Sequence, residues 1–322
     1  MRILGALGLA TVALLPLDAA IAQAPYPSRP VRMVVPFAPG GGVDVVARII
    51  GPKLSEGLGQ PVVIDNKPGA NTGIAAENIA RSAPDGHSLL LTIDFTMTVN
   101  PTIYSRLAYN ADKDFAPVSM VTEQMNLIVT SPKIPPRTFP EFLAYLKANP
   151  GKVNYASGAV TAQLVGELIM SMSGTKMVFV PYKGSAPALA ALLAGDIQMS
   201  VGEIPTFGPP AKEGRLVALA VTGKVRDTAL PDVPTISENG LPGFEVRNWI
   251  ALFAPASTSP AVIGRINSEL VKFMSRPETK AQFSTMGRNA VTTTPDELSA
   301  LVRSDTTRWA NVIRSAGLKF EQ

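Results

Sequence analysis

Short apolar runs alternate with helix-spaced apolar residues along this chain, and that alternation restricts it to an α/β architecture. Val31, Arg32, Met33, Val34 and Val35 form a β-rich run that stops at Pro36. After a glycine loop, Val46, Ile50, Leu54 and Leu58 recur at every fourth residue, with Val45 and Ile49 beside them. Asp44, Arg48, Lys53 and Glu56 occupy the other faces. This spacing predicts an amphipathic helix, stopped by Gly57 and Gly59. Residues 62–64 read as a second strand and 73–82 as a small-residue helix. After the Pro84-Asp85-Gly86 turn, 88–93 is an almost unbroken apolar strand, the pattern of a parallel strand covered on both faces. Strand, helix, strand, helix, strand is the doubly wound order.

A second block opens with the apolar run 126–130. Thr138 and Glu141 have capping-box spacing for a helix reaching Leu146. Strands are expected at 153–156, 178–180, 197–201 and 216–221, with helices at 161–171 and up to Ala194. The chain then returns through a strand at 249–253 and three helices, 260–275, 277–286 and 295–315. The last carries Thr294, Pro295 and Glu297 at N-cap, N1 and N3. The expected fold is two doubly wound α/β lobes joined by two crossing segments, near Met125 and Trp249. Lobe one comprises 25–125 and 247–322; lobe two comprises 126–246.

Ahead of the first strand, Met1-Arg2 precedes an apolar stretch at 3–17 and a small-residue run to Ala22-Gln23-Ala24. That is the order of a cleavable secretory signal, assigned to 1–24. A cut after Ala22 is the alternative, since one after Ala24 leaves Pro25 first. The apolar stretch is short for a membrane-spanning helix of about 20 residues, so export with removal of the signal is expected.

Composition excludes several chemistries. The 322 residues contain no cysteine and one histidine, His87, which removes disulfides, thiolate nucleophiles and His- or Cys-rich metal sites. No metal site, cofactor or catalytic residue is expected. The net charge of +4 comes from dispersed Lys and Arg, unlike the concentrated basic stripe of a nucleic-acid-binding protein. A mild positive field favours small anions.

Four strand-to-helix loops are candidates for holding a ligand. The 37–44 loop, Phe37-Ala38-Pro39-Gly40-Gly41-Gly42-Val43-Asp44, pairs backbone freedom with a helix start, a combination suited to an anion or to a plain tight turn. It lacks nucleotide-binding spacing. The others are 68–72, 157–161 and 182–185. In parallel sheets such loops gather at the strands' carboxyl ends. Asp44 and Thr161 read as helix caps, Lys183 as a solvated lysine and His87 as an inert turn residue.

These loops, in this order, resemble those of the extracytoplasmic solute receptors of the tripartite tricarboxylate transporter family, the Bug or TctC-like receptors. The resemblance runs from Tyr26 to the C-terminus through Tyr26-Pro27-Ser28-Arg29-Pro30, Pro36-Phe37-Ala38-Pro39-Gly40-Gly41 with Asp44, and Asn66-Lys67-Pro68-Gly69-Ala70. It continues through Ala83-Pro84-Asp85-Gly86, Asn100-Pro101, Tyr182-Lys183-Gly184, and the run from Leu230 through Pro231-Asp232-Val233-Pro234 to Thr235. Gly240-Leu241-Pro242-Gly243-Phe244-Glu245 and Ala254-Pro255-Ala256 complete it.

The resemblance implies a type II-like periplasmic-binding-protein fold that closes on a small carboxylate. It implies ligand contact at Phe37, Pro39, Gly40, Gly41, Ala70 and Asn71 from one lobe. From the other it implies Ser157, Thr161, Tyr182 and Gly184, and it places Glu203 at the cleft or in solvent. The chain departs from the family where Asn71-Thr72 replaces a glycine pair and Gly202-Glu203 an Asp-Asn, and where the segment after Tyr155 is shorter. The implied partners are the membrane subunits of a tripartite tricarboxylate-type transporter, reached by a monomeric receptor. A sensor docking on a membrane signalling receptor uses the same capture step. An exported hydrolase is the remaining reading, disfavoured because no activated nucleophile is evident.

Overall fold

The computed structural model describes residues 26–157 and 160–318; the expected signal at 1–24 lies outside them. The chain opens with β1 (Val31–Val35), α1 (Gly42–Leu58), β2 (Val62–Asn66), a 3-10 turn (Ala70–Thr72), α2 (Gly73–Ala80) and β3 (Ser88–Ile93). Short helices α3 (Asp94–Thr98) and α4 (Asn100–Ile103) follow, then β4 (Phe115–Gln124), β5 (Asn126–Thr130), α5 (Phe139–Ala148), β6 (Asn154–Ser157) and α6 (Val160–Ser173). Next come β7 (Val178–Pro181), α7 (Ser185–Ala194), β8 (Met199–Glu203), α8 (Ile204–Lys212) and β9 (Val217–Val221). The chain returns through β10 (Asn248–Pro255), α9 (Pro260–Met274), α10 (Pro277–Thr285), β11 (Asn289–Ala290) and α11 (Pro295–Ala316).

The strands form two sheets. One has the order β11-β4-β10-β3-β1-β2, the other β7-β6-β8-β5-β9. In the first, β1 pairs in parallel with β2 and β3, while β10 runs antiparallel to β3 and β4. In the second, β6 pairs in parallel with β7 and β8, and β5 runs antiparallel to β8 and β9. Each sheet with its helices is one α/β lobe, and the two share a strand plan.

Local signals explain most element ends. Both capping boxes form: Thr138 and Glu141 start α5, and Thr294 and Glu297 start α11. Gly59, left-handed at φ 76°, ends α1, whereas Gly57 stays inside the helix. The expected stop at Gly57 is therefore corrected: α1 runs on to Leu58, and Gly59 alone ends it.

Several regions depart from the sequence expectation. β4 was not anticipated, because Pro117 argues against a strand interior. It is accommodated where the β4–β10 register shifts between Leu252 and Phe253, opposite Pro117. α3 and α4 are too short to show periodicity. α8 carries Pro205, Pro209 and Pro210 within nine residues, a composition that reads as a breaker, yet fully buried Phe207 anchors it.

The lobes meet at several places. β4 passes into β5 through Met125. The segment after β9 returns beside it: the Thr222 hydroxyl accepts from Asn126 N–H (2.9 Å) and donates to the Val246 carbonyl (2.8 Å). α11 lies against α6, and Trp309, Val312 and Ile313 share an apolar cluster with Leu164, Val165 and Leu168. Among the described residues, no helix is long and apolar enough to cross a membrane.

Candidate functional site

β1, β2 and β3 end side by side. Because β1 lies between the other two, the chain's progress across the sheet reverses there, and the crevice outside such strand ends is where α/β sheets hold ligands. The stretches that follow these strands line a concave pocket of about 490 Å³ that includes Phe37, Ala38, Gly69 to Thr72 and Phe95. Phe37 is half-buried, while Pro39, Gly40, Ala70 and Asn71 are exposed.

Asp44 organises the first loop. It is fully buried in the third position of α1. Its carboxylate accepts from Gly40 N–H (2.8 Å), Arg48 Nε (2.7 Å) and Asn66 Nδ2 (2.9 Å). Asn66 also donates to the Phe37 carbonyl, tying the first and second loops together. The Arg48 hydrogen bond, with those from Gly40 and Asn66, holds the Asp44 carboxyl down to about 2 against the opposing effect of burial. Asp44 thus serves the helix start from within the helix rather than as its N-cap, which is Gly41. Gly41 N–H donates to the Ala38 carbonyl. The amides of Gly40 and Gly41 are therefore engaged inside the loop. Those of Gly42 and Val43, at the first helical positions, have no carbonyl four residues back in the helix.

The second loop is strained. Ala70, Asn71 and Thr72 hold φ values of 45°, 46° and 77° in succession, a left-handed run that side chains other than glycine disfavour. A buried hydroxyl and amide network braces it. Thr96 donates to Thr72 (2.7 Å) and contacts Thr92 (2.6 Å); Asn100 Nδ2 donates to the Asn71 carbonyl (2.8 Å), and Tyr109 donates to the Thr96 carbonyl (2.6 Å). Asn71 itself donates to the Tyr104 hydroxyl. Strain held this firmly is a mark of ligand clamps.

At the end of β3, Asp94 is buried and accepts from Phe95 N–H (2.8 Å). Burial raises its carboxyl to about 7, and the nearby Asp305 carboxylate pushes the same way.

Lobe two repeats the plan. β6, β7 and β8 end at Ser157, Pro181 and Glu203. Ser157 closes β6, and the 158–159 stretch beyond it lies outside the described residues. Thr161 falls inside the first turn of α6, which begins at Val160, so the expectation that Thr161 caps this helix is corrected. Tyr182 is half-buried, and Gly184, at φ 102°, precedes α7 and donates its N–H to the Tyr182 carbonyl. Glu203 accepts from the Ser185 hydroxyl at 2.7 Å, which ties the end of β8 to the 182–185 loop. Lys183 is exposed. His87 is buried, edge-on to Tyr26, well away from these strand ends.

Sequence reasoning assigned no site role to Asp94, Thr96 or Asn100. Asp94 carried a usable signal, a charge placed directly after an apolar parallel strand. The other two act through contacts that are distant in sequence. Among the described residues, no group of three or more His, Cys, Asp or Glu side chains is placed to hold a metal.

The chain resembles known proteins over most of its length. The model of the tripartite tricarboxylate transporter family receptor matches residues 46–318. Protein BugT of Bordetella pertussis is 34% identical, over 99% of both chains. Among solved structures, R. palustris Rpa4515 with adipate is 31% identical, with a TM-score of 0.73 over 91% of this chain and 99% of that one. MatC from Rhodopseudomonas palustris with bound malate is 33% identical, with a TM-score of 0.68 over 89% and 100%. These relatives are solute-binding receptors rather than enzymes. The chain belongs to the family of tripartite tricarboxylate transporter receptors.

Proposed function

We propose that this protein is a periplasmic receptor that captures a small carboxylate between its lobes and delivers it to the membrane subunits of a tripartite tricarboxylate-type transporter. In this reading residues 1–24 direct export and are removed. The closing bodies are 25–125 with 247–322, and 126–246. Phe37, Pro39, Gly40, Gly41, Ala70 and Asn71 form one wall of the site; Ser157, Thr161, Tyr182, Gly184 and Glu203 form the other.

The observation that carries the reading is the shared strand plan, which turns the carboxyl ends of three parallel strands in each lobe into loop clusters, one of them around a pocket of about 490 Å³. Family membership supports a carboxylate, as do the adipate and malate named with the two R. palustris relatives. Engagement of the Gly40 and Gly41 amides by their own loop leaves Gly42 and Val43 as the amides best suited to an anion at this helix start.

The test is isothermal titration of the mature protein with adipate, malate, aspartate and benzoate. At least one is expected to bind with a dissociation constant in the micromolar range, about −8 kcal/mol. Absence of heat and of thermal stabilisation with every acid would remove the reading.

A further inference from the structure

Arg288 occupies the short link between α10 and β11, at the seam of the two lobes. Its guanidinium reaches the first candidate loop, where a methyl group placed on Gly42 would lie 3.5 Å from Nη2. The neighbouring Gly287 packs directly on Pro205 of lobe two. Asp94, at the carboxyl end of β3, and Glu203, at the carboxyl end of β8, are both near enough to favour the guanidinium's charge. These two strands hold equivalent places in their sheets, so Arg288 stands where the two sets of strand ends converge.

Neither carboxylate pairs with it. Asp94 is turned to Phe95 N–H and Glu203 to the Ser185 hydroxyl. Among the described residues, the Arg288 side chain has no ion pair and no hydrogen bond, whereas Arg247 and Arg308 are both paired with carboxylates. Arg288 is half-buried, and loss of water around it pulls its pKa down despite the two nearby acids. A guanidinium drawn partly out of water without a partner is unfavourable, and a carboxylate matching its planar fork is the ligand group that best offsets this.

We propose that Arg288 is the charge partner of the ligand, receiving one carboxylate where the strand ends of the two lobes converge. The inference rests on the cleft being the carboxylate site. The flanking Glu203 carboxylate makes this a place for a single ligand carboxylate, with no second anionic group beside it.

The experiment titrates the mature wild-type protein, Arg288→Gln and Arg288→Lys with the panel acid that binds most tightly and with its neutral amide. Thermal melts of each variant establish folding. Arg288→Gln is expected to weaken acid binding by roughly 10- to 100-fold, with Arg288→Lys intermediate and the amide bound poorly by all three. Acid binding by Arg288→Gln within threefold of wild type overturns the inference and leaves the receptor reading standing. Equal wild-type binding of acid and amide does the same. If Arg288→Gln fails to fold, Arg288→Lys decides: weakened binding supports the inference, and wild-type affinity together with equal acid and amide binding overturns it. Failure of the wild type to bind any panel acid overturns the receptor reading, and the inference with it.

Discussion

Arg247 is paired with Glu123 at 2.7 Å across the two segments by which the chain passes between its lobes. Arg247 also reaches Glu245 at 2.8 Å, so one guanidinium ties the outgoing strand to the returning one. Both partners of the Glu123 pair are mostly buried, at 30% and 16% side-chain exposure. Solvent therefore screens the pair less than it would a surface ion pair. Glu123→Gln is expected to lower unfolding free energy by about 1–3 kcal/mol, read from the midpoint of urea denaturation. Because neither residue touches the candidate loops, the affinity of the closed state for ligand is expected to change far less than stability.

Asp44 is the second load on the fold, and here stability and binding should move together. Its carboxylate satisfies a backbone amide, a side-chain amide and a guanidinium at once. Asp44→Ala leaves the exposed Gly40 N–H and one N–H of half-buried Asn66 without that acceptor, at a cost of about 1 kcal/mol for the lost hydrogen bonds. It also frees the first loop, so ligand affinity should fall with no ligand contact removed. The pH sign follows from the lowered carboxyl. Its contribution is complete above the ordinary 3.8 and disappears as pH falls through about 2. Denaturation midpoints between pH 5 and pH 2 should decline less in Asp44→Asn than in the wild type.

Much of this fold was legible because its signals are local. β1, β3, the α5 and α11 capping boxes and the glycine end of α1 each follow from a few adjacent residues. β4 was hidden because Pro117 is tolerated only through a register shift made with β10, far along the chain. α8 was hidden because three prolines outweigh the single buried Phe207 in any local reading. The candidate loops could be listed from their glycines, but not what fills them. That Asp44 takes the Gly40 amide depends on a side chain folding back on its own loop, and that Asn100 holds Asn71 depends on α4, which has no sequence period. Arg288 joins the site only because β11 adds to the edge of the first sheet beside β4, a pairing of two residues that no pattern announces.

Asp94 gives a pH dependence of opposite sign. Its carboxyl is raised from the ordinary 3.8 to about 7, first by burial and then by Asp305, with Arg288 and the Phe95 amide opposing. Between these values the folded chain binds a proton that the unfolded chain has released. The associated stability is full below about 3.8 and is lost as pH rises through 7. Asp94→Asn mimics the protonated form. Its denaturation midpoint should be nearly flat from pH 5 to pH 8, where the wild type declines. A wild-type profile that rises across this interval, with the variant parallel to it, would show that Asp94 is ionised in the folded protein.

Gly287 tests how tightly the lobes are held at the seam. It has a φ of 68°, and a Cβ there would overlap the Pro205 ring. Gly287→Ala therefore combines a left-handed alanine, at about 1–2 kcal/mol, with a steric clash between lobes. The crossing segments and the α11–α6 contact hold the lobes elsewhere, so the seam is expected to give way by opening. The variant should show a larger radius of gyration in small-angle X-ray scattering, and ligand affinity lowered roughly tenfold by the added cost of closure, about 1.4 kcal/mol. Pro205→Ala removes the opposing ring. In the double variant the scattering should return toward that of the wild type, while the left-handed penalty persists in the denaturation midpoint. Scattering unchanged by Gly287→Ala, with only the midpoint lowered, would place the strain within the α10–β11 link rather than between the lobes.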